Sequence, residues 1–235
     1  RDRLRSRGLG DVYKRQAPCV YLGIKAGTKP EEMIDALQTA QNGGKPFPAE
    51  KFVNKIPVKK HDHVLIPAGT VHCSGADTMV LEISATPYIF TFKLWDWGRV
   101  DLDGKPRPIH LEHGAANIQW YRNTEWVHRN LVNAVAEVYT GENGTVVRTG
   151  LHEREFLDTF RFTTSSTLPV HRNVSVHMLN LVDGTRAVLR SKSDAFPPLE
   201  LHYAETCIVP QAAGDYEISS PDGSEVKVIL ACVRN

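Results

Sequence analysis

The apolar positions change period along the chain. Val20, Leu22 and Ile24 alternate, which predicts a strand over 19–25. Met33, Ile34, Leu37 and Ala40 then recur at helical spacing and predict a helix over 29–41. Thr28 to Glu31 has the spacing of a capping box with Pro30 in the first turn, and Asn42, Gly43 and Gly44 supply a stop. A short helical turn is expected near 48–54. From Val58 onward the pattern is β-like, with strands expected at 62–66, 71–74, 78–84 and 87–94. Residues 100–108 read as a Pro/Gly-punctuated loop and 115–120 as a short helix. Strands resume near 126–139, before the hairpin-type turn Gly141 to Gly144. Beyond Phe156, strands are expected at 174–181, 187–191, 199–202, 206–209, 215–219 and 226–232. Many short strands with closely spaced turns predict a β-sandwich or barrel. The length suits two such modules joined near 120–155.

Composition narrows the class. The chain has 235 residues, 41% hydrophobic and 23% charged, with a net charge of +1. That is globular composition, without the charge excess of a general nucleic-acid binder. No apolar run is long enough for a membrane helix. Four scattered cysteines without a CxxC pair or secretory signal point to reduced thiols in the cytoplasm. A monomer or homodimer is expected. The first 16 residues carry six Lys/Arg against two Asp, so the remainder is weakly acidic. This leader has no apolar period, and its stretch GDVYKRQ resembles translated sequencing-adapter tails. Residues 1–16 are therefore expected to be a non-native or disordered leader, with a native basic arm as the alternative.

The candidate chemistry centres on KKHDHVLIPAGTVH, residues 59–72. Pro67 fixes φ and Gly69 permits a tight reversal, so the chain re-enters a strand at once and sets His72 at a defined depth. An imidazole there can bind a divalent metal; the plain alternative is a tight hairpin with a hydrogen-bonded His. The spacing P-x-G-x-x-H is that of the second half of the cupin metal motif. His61 and His63 lie on one face of a strand, but no Glu follows at the spacing of a first cupin motif. Solvent-exposed imidazoles are the expectation for both. Glu82, in TMVLEIS, shares a strand face with Val80 and Ser84.

IPAGTVH (66–72), Glu82 ten residues on, LWDWGR (94–99), GKPRPIH (104–110) and the upstream VYLGIKAGTKPEEMIDAL together resemble type I mannose-6-phosphate isomerases. The resemblance covers about 19–120 well and the remainder more loosely. It implies a mainly β fold of two cupin-type jelly-roll modules. Residues 17–120 would form the C-terminal part of the metal-site module, 121–155 a connection, and 156–235 a second, metal-free jelly roll.

The activity it implies interconverts mannose 6-phosphate and fructose 6-phosphate through a cis-enediol. Zinc would be held by a Gln and a His on one strand, a Glu, and a final His. Only the final His has a counterpart, His72, and residues 1–50 contain no His. The resemblance thus implies an N-terminally truncated fragment that lacks three of four metal ligands and is inactive as it stands. It places Glu82 near sugar and metal as a proton carrier, and Lys93 and Arg99 at the phosphate and the enediolate. Lys93 stands one residue further from Glu82 than in the family, and a Lys offers a point charge rather than a fork. Pro210 to Tyr216 resembles the turn of the second module, with Tyr216 where a ligand His would stand. Two other readings stay open: a cupin enzyme of another class, and a sugar-binding or regulatory module without catalysis.

Overall fold

The computed structural model describes residues 17–84, 91–105, 107–171 and 175–234. The leader and much of the strand expected at 87–94 lie outside them. The first expected strand is β1 (Cys19–Ile24). It sits between β2 (Val53–Pro57) and β3 (His72–Ser74), both antiparallel to it. The helix α1 (Pro30–Gln41) buries Met33 and Leu37 against Cys19, Tyr21, Ile24 and Phe52. Its cap differs from the expected box. Lys29 occupies the N-cap without a side-chain bond, and the Thr28 hydroxyl instead donates to the Phe52 carbonyl at 3.4 Å. Pro30, whose fixed φ suits a first turn, starts the helix with Glu31 and Glu32 behind it.

The short helix α2 (Ala49–Phe52) runs directly into β2, a strand that starts five residues ahead of the expected β region. The two faces of this sheet meet different partners. Tyr21 packs in the α1 cluster, while Leu22 and Ile56 pack with Val127 and Leu131. Between Tyr21 and Ile24 the register shifts at Gly23, which has φ +64°. A Cβ there would lie 2.2 Å from Val127 Cγ2.

Three strand expectations fail in the middle of the chain. Residues 78–84 form no strand despite their alternation. An alternating pattern becomes a strand only where a neighbour supplies backbone hydrogen bonds, and no described strand pairs with this stretch. Met79, Val80 and Leu81 are consequently exposed. The segment 62–66 contributes only an isolated bridge, Val64 to Val132. The helix expected at 115–120 is α3 (Leu111–Asn117). The strand expected near 126 is the helix α4 (Thr124–Asn130), capped by Asn123, whose Oδ1 accepts from Trp126 N at 3.1 Å. The apolar pair Val127 and Leu131 is four apart, so it meets the sheet from a helix as readily as a strand would.

The rest is a jelly roll. The hairpin β4 (Ala136–Gly141) and β5 (Gly144–Arg148) turns at the expected place. Then come β6 (Leu157–Thr164), β7 (Thr167–Val170), β8 (His177–Asp183), β9 (Arg186–Ser191), β10 (Leu199–His202), β11 (Thr206–Val209), β12 (Tyr216–Ser219) and β13 (Val226–Val233). One sheet runs β10-β9-β12-β7 and the other β11-β8-β13-β6-β5-β4. Strands β6 to β13 thus interleave as two four-stranded layers, which is jelly-roll order. The β4–β5 hairpin, inside the segment expected to be a connection, widens the second layer. Leu179, Leu181, Leu189, Ile218 and Val228 are fully buried between the layers.

Candidate functional site

The turn after Ile66 is built as its residues require. Thr70 donates to Pro67 O from its backbone N at 3.1 Å and from its hydroxyl at 2.7 Å. Gly69 has φ +82°, and a Cβ on it would come within 2.5 Å of Asn117 O. Arg122, buried at 7% exposure, clamps the turn from outside. Its Nη1 donates to Pro67 O at 2.9 Å, Ala68 O at 2.7 Å and Thr70 Oγ1 at 2.5 Å. Sequence reasoning missed Arg122 because nothing in WYRNTEW distinguishes a buried clamp from a surface cation.

This turn delivers His72 to β3, opposite Leu22. The His72 Nδ1 lies 2.8 Å from Thr70 O. A carbonyl only accepts, so in the neutral ring Nδ1 carries the proton and Nε2 keeps its lone pair. The side chain is exposed. Glu82 is also exposed, in the stretch after β3 that joins no described strand.

Lys93 and Arg99 lie on one loop elsewhere, the first engaging Asp96 through its side chain and the second through its backbone. Lys93 Nζ lies 3.6 Å from Asp96 Oδ2, as does Arg107 Nη1, and Arg99 N donates to Asp96 O at 2.9 Å. Trp97 packs on Tyr21 at 5.5 Å between ring centroids, and Trp95 on Phe47 at 6.4 Å. Neighbours along a strand point to opposite faces, and residues paired across strands share one. His72 therefore shares the Leu22 face, whereas the loop carrying Lys93 and Arg99 packs on the Tyr21 face.

The imidazoles at 61 and 63 are half-buried, contrary to the exposed positions expected. His61 Nε2 lies 2.7 Å from Asp183 Oδ2 on β8. Lys60 also pairs with Asp183. The Lys60 ammonium, the His61 ring and the Gly184 N–H hold the Asp183 carboxyl well below the usual carboxylate range. His63 is half-buried. Burial, with the Arg161 charge added, pushes its pKa down.

A zinc ion needs three or four donors at fixed angles. Among the described residues no group of three His, Cys, Asp or Glu converges. The described residues therefore do not by themselves fit a zinc site. In the jelly roll, Tyr216 is fully buried and its hydroxyl lies 2.9 Å from His177 Nδ1.

The strand order defines a mainly β protein of the jelly-roll class, preceded by a small three-stranded sheet. Comparison with known proteins narrows this. The chain is 33% identical over 106 residues to the mannose-6-phosphate isomerase ManA of Bacillus subtilis, covering 45% of this chain and 30% of that protein. It is 35% identical over 63 residues to the mannose-6-phosphate isomerase of Streptococcus mutans, covering 27% and 20%. In structure it superposes on the mannose 6-phosphate isomerase of Bacillus subtilis with a TM-score of 0.61 at 14% identity, over 92% of this chain and 60% of that one. A putative mannosephosphate isomerase from Archaeoglobus fulgidus gives 0.60 at 14% identity, over 93% and 58%. No protein-family model matches the chain. The chain resembles mannose-6-phosphate isomerases in sequence over part of its length and in fold over nearly all of it. The matched stretches span 20–30% of these curated relatives, and the fold spans about 60% of the solved chains.

Proposed function

We propose that the chain is part of an aldose–ketose isomerase acting on mannose 6-phosphate and fructose 6-phosphate. The observation that carries this is the Pro67–His72 turn, which presents an imidazole whose Nε2 has no partner among the described residues. The relatives named above support the same reading. His72 serves as one metal ligand, and zinc belongs to this reading only with donors beyond the described set. The chain alone therefore binds zinc weakly and does not turn over. Glu82 carries the proton between C1 and C2, and Lys93 and Arg99 hold the phosphate. For these roles Glu82, Lys93 and Arg99 have to come within reach of His72 on β3, which is an edge strand among the described residues. Four free cysteines agree with a reducing, cytoplasmic setting. Among the described residues no helix is long and apolar enough to cross a membrane.

A second reading, a sugar-binding module without catalysis, draws on the engagement of Lys93 with Asp96. One experiment separates the two. Residues 17–235 are joined to the preceding segment of the Bacillus subtilis isomerase, and zinc content and isomerase activity are measured beside the 235-residue chain. The isomerase reading expects zinc and activity in the joined protein, both lost in His72→Ala. A folded joined protein that binds zinc but does not isomerise mannose 6-phosphate overturns it. Full activity of the 235-residue chain overturns the ligand assignment.

A further inference from the structure

A second site lies where the loop before the turn meets the jelly roll. A groove of about 330 Å³ opens between residues 59–62 and the outer face of β5, β6 and β13. That volume is at the low end of small-molecule sites. Phe162 points into the core, so the pleat turns Arg161 and Thr163 outward. Thr145, Thr163 and Lys227 form one cross-strand row on this outer face, with Arg161 in the next.

The charges are unbalanced. Lys59, Lys60, Arg161 and Lys227 line the groove with Asp62 as the lining carboxylate; Asp183 stands beside it, and Lys227 also pairs with Glu225. Asp183 takes up Lys60, His61 and, at 3.6 Å, Lys227. Asp62 Oδ2 accepts from Lys59 N at 2.9 Å, and its Oδ1 from Asn133 Nδ2 at 3.0 Å. The Arg161 guanidinium is half-buried and donates to His61 O at 2.7 Å, with no carboxylate within 4.0 Å among the described residues. The Lys59 ammonium likewise has none. The depressed pKa of His63 records, after burial, the same Arg161 charge. A planar fork of donors left without a carboxylate suits a tetrahedral oxyanion, and a second cation at the rim adds attraction.

We propose that this groove binds a phosphate group, free or on a small sugar, at a site separate from His72, Lys93 and Arg99. Arg161 supplies the fork, Lys59 the rim charge, and Thr145 and Thr163 hydroxyl donors. Since loop 59–62 and strands β6 and β13 form opposite walls, the anion ties the N-terminal part to the jelly roll.

The 235-residue chain is titrated with inorganic phosphate at constant ionic strength, with chloride as the balancing ion. Binding is read by calorimetry and by the shift in melting temperature. Saturable phosphate binding with a higher melting temperature is expected. Arg161→Gln should weaken it about tenfold. Lys59→Gln, on an exposed loop that tolerates change, should weaken it about threefold. Arg186→Gln, on the other sheet and paired with Glu200, should leave it unchanged. Tighter binding of mannose 6-phosphate than of phosphate assigns the site to a sugar phosphate; equal binding assigns it to the phosphate group alone. Chloride giving the same stabilisation, or Lys59→Gln binding as the parent does, overturns the proposal. So does phosphate binding that is lost in Arg99→Ala and retained in Arg161→Gln, and that result leaves the isomerase reading standing.

Discussion

Replacing Arg122 by Met tests whether the His72 turn is held from outside. Met keeps an apolar stem of similar reach but removes every donor. The two hydrogens on Nη1 serve three acceptors, Pro67 O, Ala68 O and Thr70 Oγ1. Hydrogen bonds from a charged group contribute about 1.5–3 kcal/mol each. Pro67 O keeps its two bonds from Thr70, and removing a buried charge recovers part of its desolvation cost. The net loss should be about 3 kcal/mol, a large share of the roughly 5–15 kcal/mol that holds a domain together. All four Trp lie between positions 95 and 126, so Trp fluorescence during urea unfolding reports the N-terminal part. Far-UV circular dichroism reports the β-rich jelly roll as well. The fluorescence transition should move to lower urea while the dichroism transition of the jelly roll stays in place. Arg122→Lys, a point charge without the fork, should fall between Met and the parent. A loss below about 1 kcal/mol, against the roughly 3 expected from the bonds, refutes the clamp. An equal shift of both transitions does so too.

Ile218→Ala removes a fully buried side chain between the two layers and should cost about 2–5 kcal/mol, read in the dichroism transition with the Trp signal unmoved. Asp183→Asn should cost about 1 kcal/mol at neutral pH, measured by urea unfolding. The Asp183 carboxyl titrates lower in the folded chain than in the unfolded one, so its contribution is present above the ordinary carboxylate range and is lost as the pH falls. The gap between parent and Asp183→Asn should therefore narrow below about pH 4, and a gap that widens there contradicts the pairing.

Where a segment satisfied its own needs, its sequence was sufficient. Strands β10 and β11 run over 199–202 and 206–209 as their apolar alternation predicts. The helix α1 ends at Gln41 because Asn42 and Gly43 follow it. The Pro67–Gly69 reversal forms because φ is locked at one residue and free at the other. His72 could be singled out for the same local reason.

Tertiary structure decided what a local pattern leaves open. Residues 78–84 alternate like a strand, yet a strand exists only if another backbone accepts its hydrogen bonds. Val127 and Leu131 bury against the sheet from a helix, because an Asn cap and a spacing of four outweigh β-propensity. The sequence singled out His61 and His63 but not Arg161, and only the packing of loop 59–62 on β6 and β8 brought them together. Arg161 and His61 are 100 residues apart. The pattern of one chain carries the period and the turns, which are local; which face meets which, and which charges are left unpaired there, is set by contacts between segments that no short window contains.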